Sequence, residues 1–254
     1  MVVSIEISGP YEDKLRRLVE LGVYASIAEA VRDALRRLMS ELEMAKIALQ
    51  LYVRKGSSIY YFCELAEEPC NKAIEFMLIN QVTPRLGHEP GEPVEHSITS
   101  DTIILDPSAI IVSYNSLGIK ILEKLSNIYN FVIPSELSNF EKIYYALARK
   151  HGIKTRFSPA QVNIKPVRPP SDAAITSIEY GIIRYAQKSG SIVLVEDSYT
   201  RRIARSLGIK TLTIASLINI SKDMISKNEI VEIIFSLRAI PYLIPVELEE
   251  ELLK

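Results

Sequence analysis

Apolar and polar positions divide this chain into two regimes. From residue 102 onward short apolar runs alternate with longer amphipathic ones: 102–105 then 111–125, 131–133 then 135–150, and a helical stretch over 171–187 followed by 192–195, 199–207 and 210–214. Short continuous apolar runs predict strands buried on both faces, and their alternation with helices predicts a parallel sheet covered on both sides, an α/β fold. The run Thr102-Ile-Ile-Leu105 ends on Asp106-Pro107-Ser108, and Ile192-Val-Leu-Val195 ends on Glu196-Asp197. Open α/β sheets bind ligands at the carboxyl ends of their strands. One Asp after a strand is more often a helix N-cap, whereas two acidic strand ends together predict a shared pocket. Neither end carries a glycine-rich phosphate loop, which disfavours a Rossmann nucleotide site or a P-loop.

Before residue 102 the period changes. Residues 2–8 alternate, with Val3, Ile5 and Ile7 on one face and Val2, Ser4, Glu6 and Ser8 on the other, the pattern of a strand with one apolar face. A helix is expected over 11–21, stopped by Gly22, and Ser26-Ile-Ala-Glu29 is a capping box opening a second helix with Ile27, Ala30, Val31, Leu35 and Leu38 on one side. One strand and two helices cannot close a core in about forty residues, so pairing with a second copy is expected. Further helices are expected over 42–55, 58–67 and 69–80. Residues 83–100, with Pro84, Gly87, Pro90, Gly91 and Pro93, read as a linker. The tail, 228–254, reads as an amphipathic helix, a break between Pro241 and Pro245, and an acidic end. The expected units are therefore 1–41, 42–82, a linker over 83–100, and 101–254.

Composition changes this picture little. A chain of 254 residues, 48% hydrophobic and 24% charged, is ordinary for a globular protein. The absence of any apolar run near 20 residues, and of a basic-then-apolar leader, predicts a cytoplasmic protein without membrane contact. Cys63 and Cys70 are the only cysteines and are expected to be buried, reduced thiols; His88, His96 and His151 are scattered. The net charge of −1 is unevenly spread, with two basic against seven acidic residues over 61–100. Between Glu141 and Asp172, by contrast, seven Lys and Arg stand with no acid. A basic rim beside an acidic pocket suits a polyanionic partner.

The strand, helix, turn and capped helix of residues 2–40 are similar to the ribbon-helix-helix family of dimeric DNA binders. That resemblance implies base-facing roles for Ser4, Glu6 and Ser8 and a phosphate contact at Ser26, where the second helix begins. The exposed strand face departs from the family in having no Arg or Lys. The segment from Ala48 through Gly56-Ser57-Ser58 to Phe76 resembles small helix-turn-helix antitoxin-like proteins.

Leu105-Asp106-Pro107-Ser108, Val132-Ile-Pro134 before an acidic helix, Ser171-Asp172-Ala-Ala-Ile175, and Val193-Leu-Val-Glu-Asp197 followed by Arg201-Arg202 resemble, in that order, a PIN domain (VapC-like). The resemblance spans residues 102–220. It implies a Mg²⁺- or Mn²⁺-dependent ribonuclease in which carboxylates hold the metal and the metal activates water. The acids it assigns are Asp106, Glu141, Asp172 and Asp197, with Glu136, Glu179 and Glu196 as fallbacks; Glu179 is offered because it lies seven residues beyond Asp172 on one helix face. Lys142, Arg149, Lys150, Arg156, Arg201 and Arg202 form its nucleic-acid rim. Ribbon-helix-helix antitoxins and PIN toxins normally form toxin-antitoxin modules of two chains, so the joined resemblance implies a homodimeric DNA-binding protein fused to a metal-dependent ribonuclease. The alternative is a DNA-binding transcriptional or chromosome-associated regulator with an inactive PIN domain.

Overall fold

The computed structural model describes residues 6–41, 43–95 and 97–253, the side chains of 39–41 excepted. Helices α1 (Pro10–Glu20), α2 (Ile27–Glu41), α3 (Met44–Lys55), α4 (Ile59–Ala66) and α5 (Cys70–Ile79) come first, then the short strand β1 (Leu86–Gly87). The rest runs β2 (Thr102–Leu105), α6 (Pro107–Tyr114), α7 (Ile119–Leu125), β3 (Asn130–Pro134), α8 (Ser138–Lys150), β4 (Ala160–Val162), α9 (Ser177–Ser189), β5 (Ile192–Leu194), α10 (Ser198–Ser206), β6 (Thr211–Leu212) and α11 (Ile214–Ile220). It closes with α12 (Lys227–Arg238), β7 (Tyr242–Leu243) and α13 (Val246–Leu253). No helix among the described residues is long and apolar enough to cross a membrane.

Among the described residues the main sheet has five parallel strands in the order β4-β3-β2-β5-β6. The chain builds outward from β2 to β3 and β4, then returns to lay β5 on the other side of β2. The order therefore reverses between β2 and β5, which opens a crevice above their carboxyl ends. Both strands are apolar because both faces are covered: Ile103, Ile104, Leu105, Ile192, Val193 and Leu194 are all buried.

Several expectations are corrected here. Residues 83–95 do not act as a linker. Leu86 and Gly87 pair in parallel with Tyr242 and Leu243, Leu86 also bridges Asp197, and Leu86 and His88 are buried. Gly87 is required at this crossing: its φ is +98°, and a Cβ there would stand 2.3 Å from the Leu243 carbonyl oxygen. Nor is the helical middle a separate unit, since Tyr52, Phe62 and Met77 belong to the same buried cluster as the sheet. Cys63 and Cys70 are joined as a disulfide with a Cα–Cα distance of 5.1 Å, because the left-handed turn at Glu67 (φ 57°) folds the start of α5 back on α4. The helix expected over 171–187 begins only at Ser177, where Thr176 and Glu179 form a reciprocal capping box. The strand expected over 2–8 lies outside the described residues up to residue 5, and Glu6 to Ser8 are not in a strand.

The α1–α2 unit stands apart from this core. Ala30 is its one buried residue among those described, while Tyr11, Leu35 and Leu38 are exposed at 73%, 44% and 50%. With Ile7, Leu15, Val31 and Ala34 they line an apolar groove.

Candidate functional site: an acidic pocket closed by a helix

Three carboxylates meet at the crevice between β2 and β5, each delivered by a helix start. Asp106 caps α6, its Oδ1 accepting from the Ala109 N–H (2.9 Å) and from Ser108 Oγ (2.7 Å). Ser108 Oγ in turn accepts from the backbone N–H groups of Glu196 and Asp197 (2.8 and 2.9 Å), tying the ends of β2 and β5 together. Asp197 caps α10 through Oδ1, which accepts from the Thr200 N–H (2.8 Å). Glu179, in the first turn of α9, accepts from the Thr176 N–H on Oε2 (2.7 Å) and from Thr200 Oγ1 on Oε1 (3.2 Å).

A fourth helix closes the group. Ser58, the N-cap of α4, donates its Oγ proton to Glu179 Oε2 (2.8 Å), and the Ile59 N–H donates to Asp197 Oδ2 (3.0 Å). The Ser58 N–H is held by the Ala174 carbonyl (3.0 Å). Four helix N-termini thus converge on three buried acids, and each terminus contributes roughly half a positive charge. That sum falls short of three carboxylate charges. Burial pushes all three acids above the usual carboxylate range: Glu179 to about 7, Asp197 upward, and Asp106 well upward, with the neighbouring Glu179 and Asp197 adding to the effect of burial there. Asp106 Oδ2 is buried with no hydrogen-bond partner.

An acid whose pKa is higher in the folded than in the unfolded chain favours folding when protonated, so its contribution is complete below about 4 and is lost as pH rises towards about 7. Urea midpoints are therefore expected to fall between pH 5 and pH 7.5, and Asp106→Asn is expected to flatten that slope. A midpoint that rises over this interval would contradict the placement of the acids.

The other sequence candidates lie elsewhere. Glu196 is buried but faces the opposite side of the strand end, accepting from the Ile214 N–H (2.6 Å) and pushed up to about 7 by burial. Glu141 accepts the Tyr114 hydroxyl proton on the face where α6 meets α8. Glu136 and Asp172 are exposed, and Asp172 sits in the turn before α9, so it and Glu179 do not share a helix face. Of the rim residues, Lys142, Arg149, Lys150, Arg156 and Arg202 are exposed. Arg201 is not part of a rim. It is fully buried, with Nε and Nη2 donating to the two oxygens of Glu92 (3.1 and 2.6 Å) and further bonds to the carbonyls of Gly87, Val195 and Glu196. In the N-terminal unit Glu6, Ser8 and Ser26 are exposed, Ser26 caps α2 by accepting from the Glu29 N–H (3.2 Å), and Ser4 lies outside the described residues.

No family model, curated protein or solved structure matches this chain. Three buried carboxylates, one with a free oxygen, suit a hard divalent cation in kind. They do not suit it in arrangement: both oxygens of Glu179 and Asp197 already accept hydrogen bonds, and among the described residues no three His, Cys, Asp or Glu side chains are placed to hold a metal ion. As folded, the α4 N-terminus supplies the positive end that a cation would supply.

Proposed function

We propose that this chain is a homodimeric, DNA-binding regulator whose α/β domain is a PIN-like fold with a closed, non-catalytic acid pocket. The observation that carries this reading is the pair of hydrogen bonds from Ser58 to Glu179 and from Ile59 to Asp197, which occupy the carboxylate oxygens a nuclease metal needs. The exposed apolar groove of the α1–α2 unit supports pairing of residues 1–41 with a second copy, as a ribbon-helix-helix unit requires. Duplex DNA is the partner this reading assigns to that dimer. Sedimentation should give a dimer, and selection from a randomised duplex pool should enrich a two-fold-symmetric sequence; Leu35→Glu, which charges the groove, should abolish both. A monomeric wild-type chain, or a dimer that enriches no sequence, would refute it.

A second reading is a divalent-metal-dependent ribonuclease. One observation favours it: the pocket is short of positive charge and Asp106 Oδ2 is buried without a partner. In that reading Asp106, Glu179 and Asp197 would hold Mg²⁺ or Mn²⁺ once Ser58 and Ile59 have moved away, and the metal would activate water. Metal-dependent cleavage of single-stranded RNA by Ser58→Ala, lost again when Asp106→Asn is added, would establish it.

A further inference from the structure

Near the loop that closes the acid pocket lies an open cleft of about 600 Å³ lined by Arg54, Lys55, Gly56, Arg85, Tyr199 and Arg202, with Glu89 as its one acid. We propose that this cleft binds a small phosphate-rich anion: a polyphosphate chain, free or carried by a nucleotide. A charged, solvent-open cleft suits a well-hydrated anion rather than an apolar ligand.

Four cations from three separate segments face this one space, the C-terminus of α3, the strap before β1, and α10. Arg54 and Lys55 also offset the negative end of α3, which accounts for two of them. It does not account for Arg85 and Arg202. None of the four forms a salt bridge among the described residues, although Arg201 and Arg205 on the same helix both pair with Glu92. Charges left unpaired in a concavity attract an anion strongly, since they need not first give up a carboxylate.

Arg85 is also held in place, and Arg202 lies against an aromatic ring at the wall. The Arg85 guanidinium lies 4.9 Å from the centre of the Tyr52 ring and donates from Nη2 to the Tyr52 carbonyl (3.3 Å), while Arg202 sits over Tyr199 at 6.0 Å. Tyr199 is itself fixed, its hydroxyl accepting from the Ala174 N–H (3.2 Å). Gly56, at φ +75°, keeps the wall open: a Cβ would stand 3.2 Å from the Tyr199 ring and 3.3 Å from Arg85 Nη1. Planar guanidinium groups match phosphate oxygens with two parallel donors, which ammonium groups cannot, and Arg85 is already positioned for this.

The test is calorimetric titration of the full chain with tripolyphosphate, ATP, AMP and a short single-stranded RNA at low salt. Tripolyphosphate and ATP are expected to bind, AMP at least tenfold more weakly, with affinity falling as salt rises. Equal binding of the first two would mean the phosphate chain suffices; tighter ATP would mean the nucleoside adds contacts; both support the site. The double variant Arg54→Ser/Arg202→Ser should weaken binding at least tenfold with its thermal midpoint retained, whereas Lys222→Ser/Lys227→Ser, the same charge loss at two exposed positions near the start of α12, should not. Absence of binding by tripolyphosphate and ATP, equal weakening in both double variants, or binding of a short RNA alone would overturn the proposal.

Discussion

Replacing Arg201 with methionine is expected to lower folding stability by about 3–5 kcal/mol, the scale for removing one partner of a buried ion pair. Methionine fills much of the same volume, so the loss would come from the groups left behind. Glu92 would keep the weaker contact to Arg205 (3.3 Å) and the Glu89 N–H (2.9 Å) but no closer cation, and the carbonyls of Gly87, Val195 and Glu196 would lose a buried donor. Those carbonyls belong to the strap at β1 and the end of β5, so the damage reaches the floor of the acid pocket. Arg201→Lys is not expected to rescue it, because one ammonium cannot reproduce a two-oxygen contact to Glu92 and the carbonyl bonds together. Urea unfolding measures both; a loss under 1 kcal/mol in Arg201→Met would mean that the guanidinium is not the tie described.

Ser58→Ala is the second large effect, at about 1–3 kcal/mol. Loss of an N-cap hydroxyl typically costs about 0.5–2 kcal/mol, and loss of one of the two donors on the buried Glu179 oxygen, which keeps the Thr176 N–H, adds about 0.5–1.5 kcal/mol. The two losses share one hydroxyl, since Ser58 Oγ both accepts from the Tyr61 N–H (3.0 Å) and donates to Glu179. Ser58→Gly separates them only in part, because glycine serves as an N-cap yet supplies no proton. A Ser58→Gly variant as destabilised as Ser58→Ala would assign most of the cost to Glu179. If Ser58→Gly were as stable as the wild type, the link between α4 and the acids would be incidental.

The strands were legible because burial on both faces leaves an unbroken apolar run, as in Thr102–Leu105 and Ile192–Leu194. Asp106 and Asp197 were legible for the same reason, standing where each run stops. Glu179 was harder to place. The Pro169-Pro170-Ser171-Asp172 stretch imitates a helix start, while the true start is fixed by the Thr176 and Glu179 side chains bonding each other's backbone. Strand β4 was invisible, since Ala160 and Gln161 on this sheet edge are exposed and carry no apolar signal. The strap over 83–95 misled through its prolines and glycines, which mark a loop in sequence whether it swings free or, as with Leu86 and His88, is buried. Least legible was the closure itself. Ser58 and Ile59 meet acids 121 and 138 residues away, and no local periodicity encodes that meeting.

With the α4 N-terminus bonded to Glu179 and Asp197, the proposed closed pocket should not take up a divalent cation. Calorimetric titration of Mn²⁺ into the full wild-type chain near pH 7.5, beside Asp106→Asn, decides this. No stoichiometric binding that distinguishes the two proteins is expected. One Mn²⁺ per chain bound by the wild type and lost in Asp106→Asn would contradict it, and would make the metal-dependent ribonuclease the reading to pursue.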